Sequence, residues 1–307
     1  MEYVRLGRSG LKVSRISLGT MNFGDKTNSK DSYKIISYAI SSGINLIDTA
    51  NRYGKPKGEG ITESLIGNWL KSNRHHRREI ILCSKVHNPM GSHVNDRGLS
   101  AYHIKQACED SLKRLKTDHI DIYQMHHVNR NTPWDEIWSA MEQLHRDGKI
   151  LYVGSSNFAG WDLATACQEA RQRNHFGLIS EQSKYNLAQR AIEREVLPAC
   201  KHYGIGVLAY SPLNGGVLGN MKNWDLGDHI AKKWNKFCQA LKLDPEIIAT
   251  SWLLHQSSIS SVIVGPRLLT HFKHYLKALN LQLDKTQLEK LDLIFPPAGK
   301  APEYYAW

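Results

Sequence analysis

The chain has 307 residues, 41% hydrophobic and 22% charged, proportions that belong to a globular protein and exclude a disordered or fibrous one. Its five cysteines, Cys83, Cys108, Cys167, Cys200 and Cys238, are odd in number and form no C-x-x-C pair, which argues against a disulfide framework and for reduced thiols in a cytoplasm. A net charge of +11 asks for an anionic partner or a solvated basic face; the basic residues are scattered, so a phosphorylated small ligand is expected rather than nucleic acid.

The opening residues, Met1-Glu2-Tyr3-Val4-Arg5, carry no apolar run of signal-peptide type. No stretch approaches the roughly 18 apolar residues of a membrane span. A soluble, cytoplasmic protein without a membrane partner is expected. No linker-like segment divides the chain, so residues 1–307 are expected to form one domain, a length ordinary for a single α/β barrel.

Tyr3 to Ser14 reads as a polar-tipped hairpin ahead of the first barrel strand, Ile16–Gly19. A helix from Asp31 to Ser42 follows, with Gly43 placed to end it. Strands at Asn45–Asp48 and Ile80–Ser84 come next, with the basic run Arg74-His75-His76-Arg77-Arg78 as a surface loop before the second. Ser100 opens a helix carrying Ile104, Cys108, Leu112 and Leu115, which leads to a strand at Ile120–Met125. Thr132 opens another, with Pro133 in its first turn and Trp134, Ile137, Trp138, Met141 and Leu144 on one stripe. The alternation continues with strands at Leu151–Gly154, Leu178–Glu181, Gly206–Tyr210 and Ser261–Val264. Helices at Trp161–Arg173, Ile192–Tyr203, Trp234–Leu241 and Leu269–Leu279 separate or follow them, and Asp244-Pro245 starts an extra one through His255. Eight buried strands alternating with helices predict a (β/α)8 barrel with a parallel sheet.

Barrel chemistry gathers at the C-terminal ends of the strands. Those ends carry Asp48 to Tyr53, Ser84-Lys85, Gln124-Met125-His126-His127, Ser155-Ser156-Asn157, Glu181-Gln182 and Tyr210-Ser211-Pro212-Leu213. Each has a bland reading alone: an aspartate caps a helix, a lysine snorkels to water, a histidine or tyrosine packs. Asp48, Tyr53, Lys85 and His126 at three successive strand ends require those readings to coincide. Together they suit carbonyl reduction by hydride, which makes an alkoxide in need of a proton and a stabilising field. Tyr53 is the candidate donor, although a free phenol has a pKa of about 10. A nearby Lys85 would lower that value, Asp48 would pair the buried lysine, and His126 would orient the substrate oxygen.

These residues in this order resemble the aldo-keto reductase superfamily over nearly the whole chain. The resemblance is carried by Leu18-Gly19-Thr20-Met21, Ile47-Asp48-Thr49-Ala50 with Tyr53-Gly54, Ser84-Lys85, Asp121 to His126, Val153 to Phe158, Glu181-Gln182 and Ala209 to Leu213. It implies that Asp48, Tyr53, Lys85 and His126 form a catalytic tetrad with Tyr53 as proton donor. It further implies NADP(H) as cofactor, Tyr210 stacked on the nicotinamide, and Ser156, Asn157 and Gln182 on its carboxamide. Gly19, Thr20, Met21, Ser211, Pro212, Leu213 and Gly215 would line the rest of that groove. Gly265, Arg267 and His271 would serve the adenosine end, with Arg267 on the 2′-phosphate. The absence of G-x-G-x-x-G is expected, because this family binds its dinucleotide without that fold.

The chain departs from many relatives at His271, His274 and Tyr275, which leaves the adenine contacts and the choice of NADP over NAD open. Its segment from Asn220 to His229 is shorter than the usual covering loop, so a more open groove and faster cofactor exchange are expected. His127 is a candidate for substrate contact, and Phe23, Met90 and Trp134 are candidate pocket walls, each competing with a packing role. The resulting function is reduction of a small-molecule aldehyde or ketone, and no metal is expected. Two alternatives stay open: a cofactor-binding accessory subunit with slow turnover, as in relatives attached to ion channels, and an isomerase or lyase using Lys85 as a Schiff base. Oligomeric state is not legible.

Overall fold

The computed structural model describes residues 1–219 and 227–306. An antiparallel hairpin, β1 (Tyr3–Arg5) and β2 (Lys12–Ser14), precedes eight parallel strands. These are β3 (Ile16–Gly19), β4 (Leu46–Asp48), β5 (Ile81–Val86), β6 (Ile120–Met125), β7 (Ile150–Ser156), β8 (Leu178–Lys184), β9 (Gly206–Tyr210) and β10 (Ile259–Val264). Each strand pairs with the next, and β10 pairs back to β3 to close the barrel.

Closure buries the strands on both faces, apart from Leu151 and Tyr152 on β7 and the ends of β8 and β9, and the two faces hold different cores. Leu46, Ile81, Cys83, Ile122, Leu208 and Ile263 pack together inside the barrel. The hairpin contributes Leu6 and Val13 to that cluster and so plugs the N-terminal end. Alternate residues such as Ile47, Leu82, Tyr123 and Ala209 face the surrounding helices. Because side chains alternate with period two, the interior positions above Leu46, Cys83, Ile122 and Leu208 are Asp48, Lys85, Gln124 and Tyr210. An apolar floor therefore carries a polar upper layer.

The helices are α1 (Ser29–Ser41), α2 (Ile61–Ser72), α3 (Ala101–Leu115), α4 (Trp134–Arg146), α5 (Gly160–Gln172), α6 (Val196–Tyr203), α7 (Asp228–Leu241), α8 (Pro245–Leu254), α9 (Leu269–Lys277), α10 (Lys285–Ile294) and α11 (Glu303–Ala306). Ser100 caps α3 by accepting from the His103 N–H. Helix α2 escapes the sequence pattern because it starts from Gly60 in the left-handed region, without a side-chain cap. Its Leu65, Ile66, Trp69 and Leu70 are nevertheless buried. Pro133 is the residue before α4, not part of its first turn.

The expected basic loop is a 3-10 helix, Arg74–Glu79. Arg77 leaves the solvent there: it pairs with Asp121 at 2.8 Å and donates to the Thr117 hydroxyl and the His119 carbonyl. Residues 220–226 of the expected short covering segment lie outside the described residues. Among the described residues, no helix is long and apolar enough to cross a membrane.

Candidate active site

The polar layer centres on a buried ion pair. Lys85, fully buried, places Nζ 2.7 Å from Asp48 Oδ2 and donates also to the Thr49 carbonyl at 2.9 Å. The second Asp48 oxygen, Oδ1, accepts from Gln182 Nε2 at 2.7 Å and Gln124 Nε2 at 3.1 Å. A carboxylate and an ammonium sealed from water are tolerable only when their remaining valences are met this way. The third Lys85 hydrogen points to the Tyr53 hydroxyl at 3.3 Å. Tyr53 sits part-buried at the rim, edge-on to the His126 ring with centroids 5.8 Å apart. Asp48, Tyr53, Lys85 and His126 are thus brought together.

The charges follow from this packing. Burial pulls Lys85 down, but Asp48 and then Tyr53 outweigh it and hold the ammonium above its usual value. A lysine kept charged and triply bonded is a poor amine nucleophile, which counts against the Schiff-base alternative. Burial pushes the Tyr53 phenol up; Lys85 pulls the other way and Asp48 adds to the rise. The expected effect of Lys85 on the phenol is present, but the net direction is upward, a correction to the sequence reading: desolvation wins. His126 falls to about 2 through burial first, then Lys85, His127 and His87. Its imidazole is neutral throughout the working pH range.

Strand β8 reaches this layer through an irregularity. Its pairing with β7 steps from Leu178 opposite Val153 to Ser180 opposite Gly154, leaving Ile179 as an extra residue. That bulge changes the phase of the strand, so Gln182, paired beside interior Leu208, turns to Asp48. Glu181 is turned away and accepts from Ser155, Ser183 and the Phe158 N–H. Burial lifts its carboxyl to about 7. Glu181 thereby pins the turn that carries Asn157, which lies in the left-handed region at φ 60°.

Around this centre the residues expected to hold a cofactor are ordered. Asn157 Nδ2 donates to the His126 carbonyl at 3.1 Å and to Ser156 Oγ at 2.9 Å, while its Oδ1 accepts from the Tyr210 hydroxyl at 2.9 Å. Tyr210 keeps a partly exposed ring at the rim. Gln182 has its amide nitrogen committed to Asp48, and Ser156 gives its hydroxyl to the Gln182 carbonyl. Thr20 is buried and bonded to the Asp48 carbonyl, and Gly19 lies so close to Ile263 that a Cβ would sit 2.7 Å from its side chain. Met21, by contrast, is 60% exposed.

Ser211 adopts φ 55°, Pro212 is buried, and Leu213 is half-buried against the outer core. Gly215 has φ 72° and open space where a Cβ would stand. Beyond β10, Gly265 is fastened by Asn22 and the Arg267 carbonyl by Thr27. The Arg267 and His271 side chains are exposed at the start of α9. His274 lies 3.6 Å from Asp244.

Phe23 is a correction. It is fully buried in the outer core, so its side chain has no free surface to offer a substrate. His127 is exposed, with its ring parallel to that of His126 at 5.4 Å. One strand-end group was named without a role, and one participant was missed. Gln124 is legible as the interior residue two before His126 on β6, by strand alternation alone. Asn88, whose Nδ2 lies 2.9 Å from His126 Nδ1, carries no sequence signal, because it sits on a loop beyond β5. It also lines a recess of about 480 Å³ with His87, Pro89, Arg97, Val128 and Asn129.

Known proteins share this arrangement of sequence. The model of the aldo/keto reductase family matches residues 15–295. An uncharacterized oxidoreductase of Bacillus subtilis, YrpG, is 46% identical over 100% of both chains. Versiconal hemiacetal acetate reductase of Aspergillus parasiticus is 34% identical over 71% of this chain and 69% of its own. A probable voltage-gated potassium channel subunit beta of Arabidopsis thaliana is 29% identical over 99% of this chain and 100% of its own.

Proposed function

The chain belongs to the aldo/keto reductase family, and from that premise we propose that it reduces an aldehyde or ketone with NADPH, Tyr53 giving the proton. The observation that carries this reading is the chain of contacts from Asp48 through Lys85 to the Tyr53 hydroxyl, beside a neutral His126. Loss of NADPH absorbance with a panel of aldehydes and ketones tests it directly.

The residues present fit a phosphorylated dinucleotide. Tyr210 is partly exposed at the end of β9, Met21 is 60% exposed just beyond β3, and Gly215 leaves room where a side chain would stand. Exposed Arg267 at the start of α9 suits a phosphate, since a guanidinium and a helix N-terminus both favour an anion. When bound, the cofactor supplies a hydride to the carbonyl carbon. Tyr53 then donates its phenolic proton to the oxygen that becomes the alcohol. Lys85 stabilises the phenolate left behind, and Asp48 holds Lys85 in place without itself gaining a proton.

Two measurements follow. Arg267→Gln is expected to raise KM for NADPH by about tenfold and leave KM for NADH nearly unchanged, as loss of one charged hydrogen bond predicts. Equal losses with both cofactors would place the 2′-phosphate elsewhere. The second is a pH profile. Reduction needs Tyr53 protonated, and its pKa lies above the ordinary value. Reduction should therefore stay level up to about pH 9 and fall only as the phenol ionises beyond its usual pKa of about 10. Alcohol oxidation needs the phenolate and should climb across the same range. A reduction rate already falling between pH 7 and 8 would contradict the assignment.

The likeness to a potassium channel β subunit favours a second reading, a cofactor-binding accessory subunit. Tight NADPH binding with negligible turnover on every carbonyl would select it.

A further inference from the structure

The loop after β5 holds a group that the proposed chemistry does not yet use. Asn88 reaches the His126 ring, its Nδ2 2.9 Å from the ring Nδ1. An amide nitrogen carries only hydrogens to offer, so in this contact Nδ1 must accept. A neutral imidazole has a single N–H. If Nδ1 accepts, that proton resides on Nε2, which has no protein partner among the described residues. We propose that Asn88 is a positioning residue that selects the Nε2–H tautomer of His126, so that the free edge of the ring presents a hydrogen-bond donor to the substrate oxygen. The proposal rests on the reductase reading above for what the donor is used for, but not for the tautomer itself.

The surroundings support a fixed, neutral ring. The groups facing it are Lys85 on β5, His87 on the following loop, Tyr53 after β4, and adjacent His127. No carboxylate is among them, and the cation present disfavours a second positive charge. Asn157 Nδ2 grips the His126 carbonyl, so the backbone of the residue is held as well as its ring. Asn88 is in turn aimed by a bent backbone. His87 before it adopts φ 148°, rare for a residue with a side chain, and the His87 carbonyl accepts from the Gly98 N–H at 2.7 Å. That turn folds the chain back from the strand end toward β6. The tautomer matters because an acceptor aimed at a developing alkoxide would repel it.

The test compares Asn88→Asp with Asn88→Ala. A carboxylate can only accept, so Asn88→Asp should move the proton to Nδ1 and turn Nε2 into an acceptor. Its kcat/KM for reduction should fall about 100-fold near pH 8, the scale of losing one oxyanion donor. Activity should recover on acidification, because the aspartate then regains a proton to donate or His126 gains a second one. Asn88→Ala removes more packing but imposes no tautomer, and should lose only a few-fold, with no acid recovery. Nitrogen-15 histidine spectra of the free protein, with His126 assigned by its absence in His126→Asn, read the tautomer without reference to activity. Nε2–H in the unaltered protein and Nδ1–H in Asn88→Asp are the expected spectra. Nδ1–H in the unaltered protein, or Asn88→Ala as damaging as Asn88→Asp with the same tautomer in both, overturns the proposal. A wild type with no carbonyl turnover but with the expected spectra would sink the reductase reading and leave the tautomer assignment standing.

Discussion

Tyr53→Phe is expected to lower kcat for carbonyl reduction by about 10³-fold, within the range that positioned general acids contribute. The substitution keeps the ring, and with it the edge-on contact to His126, and removes only the hydroxyl that stands 3.3 Å from Lys85 Nζ. Affinity for NADPH, read by quenching of intrinsic fluorescence, should therefore change little. That split between lost turnover and kept binding separates a proton donor from a residue that merely shapes the groove. Reduction within tenfold of the unaltered rate would remove Tyr53 from the chemistry.

The second large effect is at Lys85. Lys85→Met keeps roughly the length and apolar stem of the side chain but strips the ammonium from three contacts. Asp48 would keep its two glutamine donors and lose the only cation beside it in the described site. Removing one partner of a buried pair costs about 3–5 kcal/mol, because the other charge stays desolvated. That is a large share of the roughly 5–15 kcal/mol by which a domain is stable. Lys85→Met should thus lower the free energy of unfolding by about 3 kcal/mol and reduce kcat by at least about 100-fold.

Adding Asp48→Asn discriminates the causes. The double variant carries neither charge of this buried pair, so stability should return toward the original while activity stays lost. Urea unfolding of the three proteins reads this outcome. A double variant as unstable as Lys85→Met would mean that packing, and not the unpaired carboxylate, sets the cost.

The two variants probe opposite aspects of one contact chain. On the proposed mechanism Tyr53 holds a proton that burial keeps in place, and Lys85 holds the charge that makes its departure tolerable. The upward shift of the phenol is consistent with a donor that rests protonated and gives up its proton only when alkoxide develops beside it. Lys85 lowers the cost of that step without abolishing the resting phenol.

Much of this site was legible because parallel strands of one barrel end at one rim. Asp48, Lys85 and Gln124 are the last interior residues of their strands, so ordinary alternation brings them together above an apolar floor. The resemblance carried by Asp48, Tyr53, Lys85 and His126 named the group, and their convergence is what the structure shows. Phe23 misled because a large apolar residue near a strand end looks the same whether it lines a pocket or fills a core. Burial, which sets that difference, depends on helices distant in sequence. Asn88 was invisible because its contact is made by a loop whose backbone leaves the regular regions at His87.

What the sequence determined alone was the barrel and the eight strand positions, which rest on local periodicity, and the identity of the four converging groups, which rests on residue type at the strand ends and on the family resemblance. What only the tertiary structure decided was how those groups are charged and aimed. The extra residue at Ile179 hands Asp48 to Gln182 and sends Glu181 outward. Desolvation outweighs Lys85 at the Tyr53 phenol, and a loop amide, that of Asn88, is brought within 2.9 Å of His126 Nδ1. Register, burial and hydrogen-bond direction are set by neighbours across the sheet, where no window along the chain can read them.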